Sequence, residues 1–150
     1  MIRASLDSPS SDARFFHAYP RDGMTAPASV REYEVRAQST GTFGRVLCNA
    51  RQHHFVVDGP VQNGCPGEEL TPAELFMSAV ASCGVELVQV IAKDQSIPVR
   101  QISARVWAMM DRAKQARADV TLFNTVRLEF ELAGANAADA AALVEGFKRR

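Results

Sequence analysis

Neither sign of charge is in excess. Lys and Arg together number 17, as do Asp and Glu, so the formal net charge is zero. No basic surplus points to nucleic acid and no acidic run to a charged tail, so no nucleic-acid partner is expected. Cysteine is scarce: Cys48, Cys65 and Cys83 are the only three in 150 residues. That small, odd number argues against a secreted domain stapled by disulfides. None of them forms a C-x-x-C pair, and their spacing from His17, His53 and His54 fits no zinc site, so no metal or other cofactor is expected. The first residues lack the apolar core of roughly 7–15 residues that a signal peptide needs. No uninterrupted run approaches the roughly 18 apolar residues of a membrane helix. These absences lead to the expectation of a cytoplasmic protein that does not sit in a membrane.

What remains fits one globular domain. The chain is 47% hydrophobic and 23% charged, and its length suffices to bury a sizeable core. Residues 1–29 are rich in Ser, Pro, Ala and Asp without lasting periodicity. They are expected to form a poorly ordered arm, or one that orders on a partner through Phe15, Phe16 and Tyr19. Residues 30–150 are expected to be the domain. Tyr33, Val35 and Ala37 alternate with charged residues, which predicts a strand with one buried face. A turn at Gly41–Gly44 leads to a second strand over Arg45–Arg51 and a third over His54–Val57, a meander. The Gly/Pro-rich segment 59–68 is a loop and holds Cys65.

The clearest helix follows. Thr71 suits the N-cap, Pro72 the first helical position, and Glu74 completes a T-x-x-E capping box. Leu75, Phe76, Ala79, Val80, Cys83, Leu87 and Ile91 recur at helical spacing and predict one apolar stripe. Ala81, Ser82 and Gly84 keep the middle slim enough for other backbone to approach. The helix is expected to end near Asp94. Period-two alternation returns in Gln101–Met110 and in Asp119–Leu132, joined by the charged segment 111–118. Asn136 is the expected N-cap of a last helix. Clustered rather than singly alternating strands indicate an α+β fold.

Cys83 is the first residue to consider for chemistry. On an apolar helical stripe a cysteine by default packs a core and is inert. A reactive thiol needs a cation to favour the thiolate and a group to orient the substrate. Arg45, Arg51 and His54 are the candidate cations, Glu74 and Glu86 the candidate acids. Cys65, in its loop, competes as a redox thiol, whereas Cys48 reads as mid-strand core.

The segment Arg51–Pro60, the Gly-rich loop, and Thr71-Pro-Ala-Glu-Leu-Phe followed by Ala81-Ser-Cys83 together resemble the OsmC/Ohr family over about residues 31–147. The resemblance implies an intertwined homodimer in which antiparallel sheets wrap a long central helix. It also implies a thiol peroxidase that reduces organic hydroperoxides. In such a protein Cys83 is the peroxidatic cysteine, Arg51 or Arg45 holds the thiolate, and a thiol or dithiol reductant restores the enzyme. Two features depart from the family pattern. Its catalytic glutamate stands ten positions before the cysteine, where this chain has Ala73; Glu74 follows one position later, as in OsmC-like branches. No cysteine follows Cys83 in the sequence, so the resolving thiol is Cys65, a small molecule, or a residue beyond a shortened chain. Two further readings stay open: a non-catalytic OsmC-like dimer that binds an apolar small molecule, and a core cysteine in a protein with an unrelated interaction role.

Overall fold

Arg45 to Asp58 folds into a hairpin because two runs of β-forming residues flank the turn Arg51-Gln52. The computed structural model describes residues 30–150; the arm expected over residues 1–29 lies outside them. Strand β1 is Val35–Ser39, β2 Arg45–Ala50 and β3 His53–Asp58. They form an antiparallel sheet in the order β1-β2-β3. The Ala50↔His53 pair closes the hairpin, and the same register sets Arg45 opposite Asp58. Arg51 therefore lies in the turn rather than ending a strand, with φ of 55°. The β1–β2 turn is tied by its own side chain: Thr40 Oγ1 donates to the Arg45 carbonyl at 3.1 Å and accepts from the Thr42 N–H at 3.1 Å. The expected buried face of β1 is not found. All five of its residues are exposed, because among the described elements β1 packs substantially only on β2, its neighbour in the sheet.

Helix α1 runs from Pro72 to Asp94. Its start is as the sequence predicts: the Thr71 side chain accepts from the Glu74 N–H, and the Glu74 side chain accepts from the Thr71 N–H. Strands β4 (Gln101–Met109) and β5 (Thr125–Ala133) make a second antiparallel sheet, and α2 spans Ala137–Lys148 behind an Asn136 cap. Strand β4 alternates as expected, with Ile102, Ala104, Val106 and Ala108 half-buried. Strand β5 starts later than its alternation suggests. Gln115 is the reason: its amide accepts from the Leu122 N–H at 2.7 Å and donates to the Leu122 carbonyl at 3.0 Å. These bonds hold the segment before Thr125 as a loop.

The core lies between α1, the β4–β5 sheet and α2. Val88, Ile91, Ala92 and Leu143 are buried, with Leu87, Ile102, Phe130, Leu132 and Phe147 packed on them. Gly84 has a defined role here. A Cβ at that position would sit 3.0 Å from Phe130 Cζ. What approaches the slim middle of α1 is thus an aromatic side chain, not the backbone expected. Phe130 in turn meets Phe147 edge-on at 5.2 Å.

This packing rotates α1 partly away from the expected stripe, of which Leu87 and Ile91 still meet the core. The buried face carries Gly84, Val88, Ile91 and Ala92. Phe76, Ala79 and Cys83 are exposed instead. The helix is apolar on most sides, so periodicity alone could not select the inward face; the close Gly84–Phe130 approach does. By length and composition α1 also meets the requirement for crossing a membrane. The expectation that no run qualifies counted only uninterrupted apolar residues, and α1 reaches the threshold with Ser, Gly and Gln interspersed. Its packing on β4 and α2 is that of a core helix. None of β1–β3 makes more than incidental contact with α1 among the described residues.

Candidate active site around Cys83

Three cysteines, three environments. All are free thiols: Cys48 is buried, Cys65 half-buried and Cys83 exposed. Cys48 packs mid-strand in β2, as expected for core. Cys65 is wedged into the loop that follows β3. A Cβ on Gly44 or on Gly59 would overlap its sulfur, so both neighbours must be glycine for this packing. Cys83 differs from both. It stands in the middle of α1 on a face shared with Phe76, Ala79 and Val90, all exposed. The default of a buried, inert core cysteine does not hold within one chain.

The candidate partners of Cys83 are placed elsewhere. Glu74 is nine positions before Cys83, which on a helix is about 13 Å along the axis and about 180° around it. Its carboxylate is engaged by Thr71, accepting from the backbone N–H and from Oγ1 at 2.7 Å each. Those bonds, the backbone one first, hold the Glu74 carboxyl below its usual range. Glu74 also lines an open cleft of about 440 Å³ with Val61, Glu69 and Leu70, to which Cys83 does not contribute. Glu86 is exposed one turn beyond Cys83.

Arg45 is committed to other groups. Its Nε and Nη2 donate to the two carboxylate oxygens of Asp58 at 2.8 Å each, and Nη2 reaches Glu68 at 2.6 Å. Asp58 is fully buried and accepts in addition from the Glu68 and Glu69 N–H groups at 3.0 and 3.2 Å. The Arg45 hydrogen bond outweighs burial and holds the Asp58 carboxyl down to about 2. Asp58 and Glu68 in turn raise Arg45 above its usual range. A bidentate, charge-assisted pair of this kind fixes geometry as well as charge. It clamps the 59–70 loop, and with it the start of α1, onto the β2–β3 hairpin.

Of the three candidate cations, Arg51 is the uncommitted one. It is exposed at the hairpin tip and has no hydrogen bond or ion pair among the described residues. No such bond joins Cys83 to Arg51, Arg45, His54 or Glu86 either; His54 pairs instead with the Asn49 side chain. Asp58 and Glu68 were not among the candidate residues. A signal for Asp58 was present, since a two-residue turn at Arg51-Gln52 sets Arg45 directly across from it.

The OsmC-like protein family model matches residues 65–150. The chain belongs to the OsmC-like family. Among curated protein sequences none matches it. Solved structures share its fold. The organic hydroperoxide resistance protein from Elizabethkingia anophelis superimposes with a TM-score of 0.68 at 14% identity, over 81% of this chain and 84% of that one. The organic hydroperoxide resistance protein OsmC from Legionella pneumophila gives 0.66 at 20% identity, over 81% and 85%. The OsmC-like protein from Mycoplasma pneumoniae gives 0.66 at 13% identity, over 80% and 82%. At these identities the likeness is one of fold. The OsmC-like family member thus has the expected α+β architecture, with two antiparallel sheets and a long central helix.

Proposed function

We propose that this OsmC-like protein is a thiol peroxidase that reduces organic hydroperoxides through Cys83. The observation that carries the reading is the exposure of Cys83 on the central helix, beside Phe76 and Ala79. That is an apolar approach suited to an alkyl or aryl hydroperoxide. The Cys83 thiolate attacks the distal peroxide oxygen. An S–O bond forms and the O–O bond breaks; sulfur is oxidised by two electrons to sulfenic acid. The alcohol leaves with the proton. A thiol reductant then condenses with the sulfenic acid, releasing water, and a second thiol displaces it from the mixed disulfide to return Cys83. Arg51 is the cation assigned to the thiolate, because Arg45 is held by Asp58 and Glu68.

The active form in this reading is a homodimer. The fully buried hydrophobic residues among those described are few, while Phe76, Val90, Leu122 and Val126 stay exposed. A second copy covering the open face of α1 would bury Phe76 and Val90 and bring a β2–β3 hairpin with Arg51 toward Cys83. It acts in the cytoplasm, on a hydroperoxide substrate with a thiol or dithiol reductant. Treating the wild type, Cys83→Ser and Glu74→Gln proteins with cumene hydroperoxide, followed by mass spectrometry, tests this. Sulfenic acid or a mixed disulfide is expected at Cys83 in the wild type and in Glu74→Gln, and none in Cys83→Ser. An unmodified Cys83 in excess peroxide sinks the peroxidase reading and leaves a binder of apolar small molecules. A Cys65–Cys83 disulfide would make Cys65 the resolving thiol.

A further inference from the structure

The end of α1 and the start of β4 enclose a second cleft, of about 290 Å³, away from the Cys83 face. Its lining includes Ala92, Lys93, Ile97, Val99, Arg100 and Ile102. The floor is apolar: Ala92 is buried, and Ile97, Val99 and Ile102 pack against the core cluster. The rim is cationic. Lys93 and Arg100 have no ion-pair partner among the described residues. The adjacent Asp94 lies 3.9 Å from Arg150 instead. Gln89 and Gln101 add neutral amides to the lining, which holds no carboxylate. The carbonyls of Ile91, Ala92 and Lys93 receive the N–H groups of Gln95, Ile97 and Ser96. Two unpaired cations and an apolar floor, with the nearest carbonyls already used, select a ligand with one negative end and an apolar body. The volume falls near the lower end of small-molecule sites, about 300 Å³.

We propose that this cleft binds a small apolar monocarboxylate, with its carboxylate between Lys93 and Arg100 and its chain over Ala92, Ile97, Val99 and Ile102. The site does not depend on peroxidase activity at Cys83. Titrating the full chain with octanoate while recording amide NMR shifts tests it, with 1-octanol and octylamine as controls. Octanoate is expected to shift Lys93, Ile97, Arg100 and Ile102 saturably. Octanol and octylamine are expected to bind at least about tenfold more weakly, the order of one lost charge-assisted contact. Lys93→Gln/Arg100→Gln, which keeps most of both apolar stems, should weaken octanoate by a similar factor and leave the amide spectrum otherwise folded. Equal binding of octanol or octylamine, undiminished binding by the double variant, or shifts centred on the Cys83 face would each overturn the proposal.

Discussion

The β1–β3 sheet and the α1–β4–β5–α2 layer are held together by opposite means. In the second, Val88, Ile91, Ala92 and Leu143 exclude water, and Phe130 fills the notch at Gly84. In the first, Cys48 and Val57 are the buried hydrophobic residues, and the decisive contact is ionic: Arg45, Asp58 and the N–H groups of Glu68 and Glu69. A three-stranded sheet with an exposed outer strand buries too little to hold its place by packing alone. The ionic clamp supplies direction where the apolar layer supplies bulk. The comparison also bears on Cys83. Its helix is fixed by the apolar layer, whereas the arginines belong to the clamped sheet, so any pairing of the two needs both regions in register.

The apolar layer should break most severely. Leu143 is fully buried in α2 against α1, and Leu143→Ala is expected to destabilise the fold by about 3 kcal/mol, from lost transfer energy and the cavity left behind. Denaturant unfolding measures this, and hydrogen exchange locates it. Protection should fall first in α1, β4 and β5. If β1–β3 lost protection ahead of them, the sheet and not the core would set the stability of the chain.

The clamp should respond to acid instead. The Asp58 carboxyl sits at about 2 in the folded protein against an ordinary 3.8. A folded value below the unfolded one means that the unfolded state binds more protons in this window. The contribution of Asp58 is therefore complete above about pH 4 and is lost as pH falls toward about 2. Asp58→Asn should lack this component and should melt lower at neutral pH by roughly 10 °C, since Arg45 would keep only the exposed Glu68. Thermal melts of both proteins from neutral pH down to pH 2 separate Asp58 from the other carboxylates. Curves that coincide throughout would mean that the clamp contributes nothing.

How far the sequence reaches follows the same division. Boundaries that depend on local chemistry were legible: the Thr71–Glu74 capping box, the Asn136 cap, the turn glycines and the alternation of β4. These need only neighbours within a few residues. What was not legible depends on distant partners. Nothing local tells which side of an all-round apolar helix faces inward, so Cys83 read as part of the buried stripe until Phe130 set the rotation. Nothing local shows that Gln115 bonds Leu122 and delays β5. The clamp lay between these cases, since the hairpin register implies Arg45 opposite Asp58, but the two loop N–H groups do not follow from it. The site is divided likewise. Cys83 could be singled out from the helix motif, whereas the separation of Glu74 and the engagement of Arg45 needed coordinates.

The smallest effect compares the two regions directly, because each holds one non-glycine residue in the left-handed backbone region. Ser96 (φ 55°) ends α1 in the apolar layer, and Arg51 (φ 55°) turns the β2–β3 hairpin. Such a conformation costs a residue with a Cβ about 1–2 kcal/mol, while glycine loses about 0.5–1 kcal/mol more in chain entropy on folding. Substitution by glycine should therefore stabilise either site by about 0.5 kcal/mol, a shift of one or two degrees in Tm. Ser96 stands just past the C-cap Gln95, a position that glycine commonly fills, and nothing in its surroundings requires a side chain. Arg51 is different if it serves Cys83: its side chain is then kept for its chemistry at the expense of the strain. Ser96→Gly should raise Tm and leave peroxide oxidation of Cys83 unchanged. Arg51→Gly should raise Tm by a similar amount and slow that oxidation at least about tenfold, the scale of one charge-assisted contact. Equal oxidation rates in the two variants would remove Arg51 from the site and make its backbone no more informative than that of Ser96.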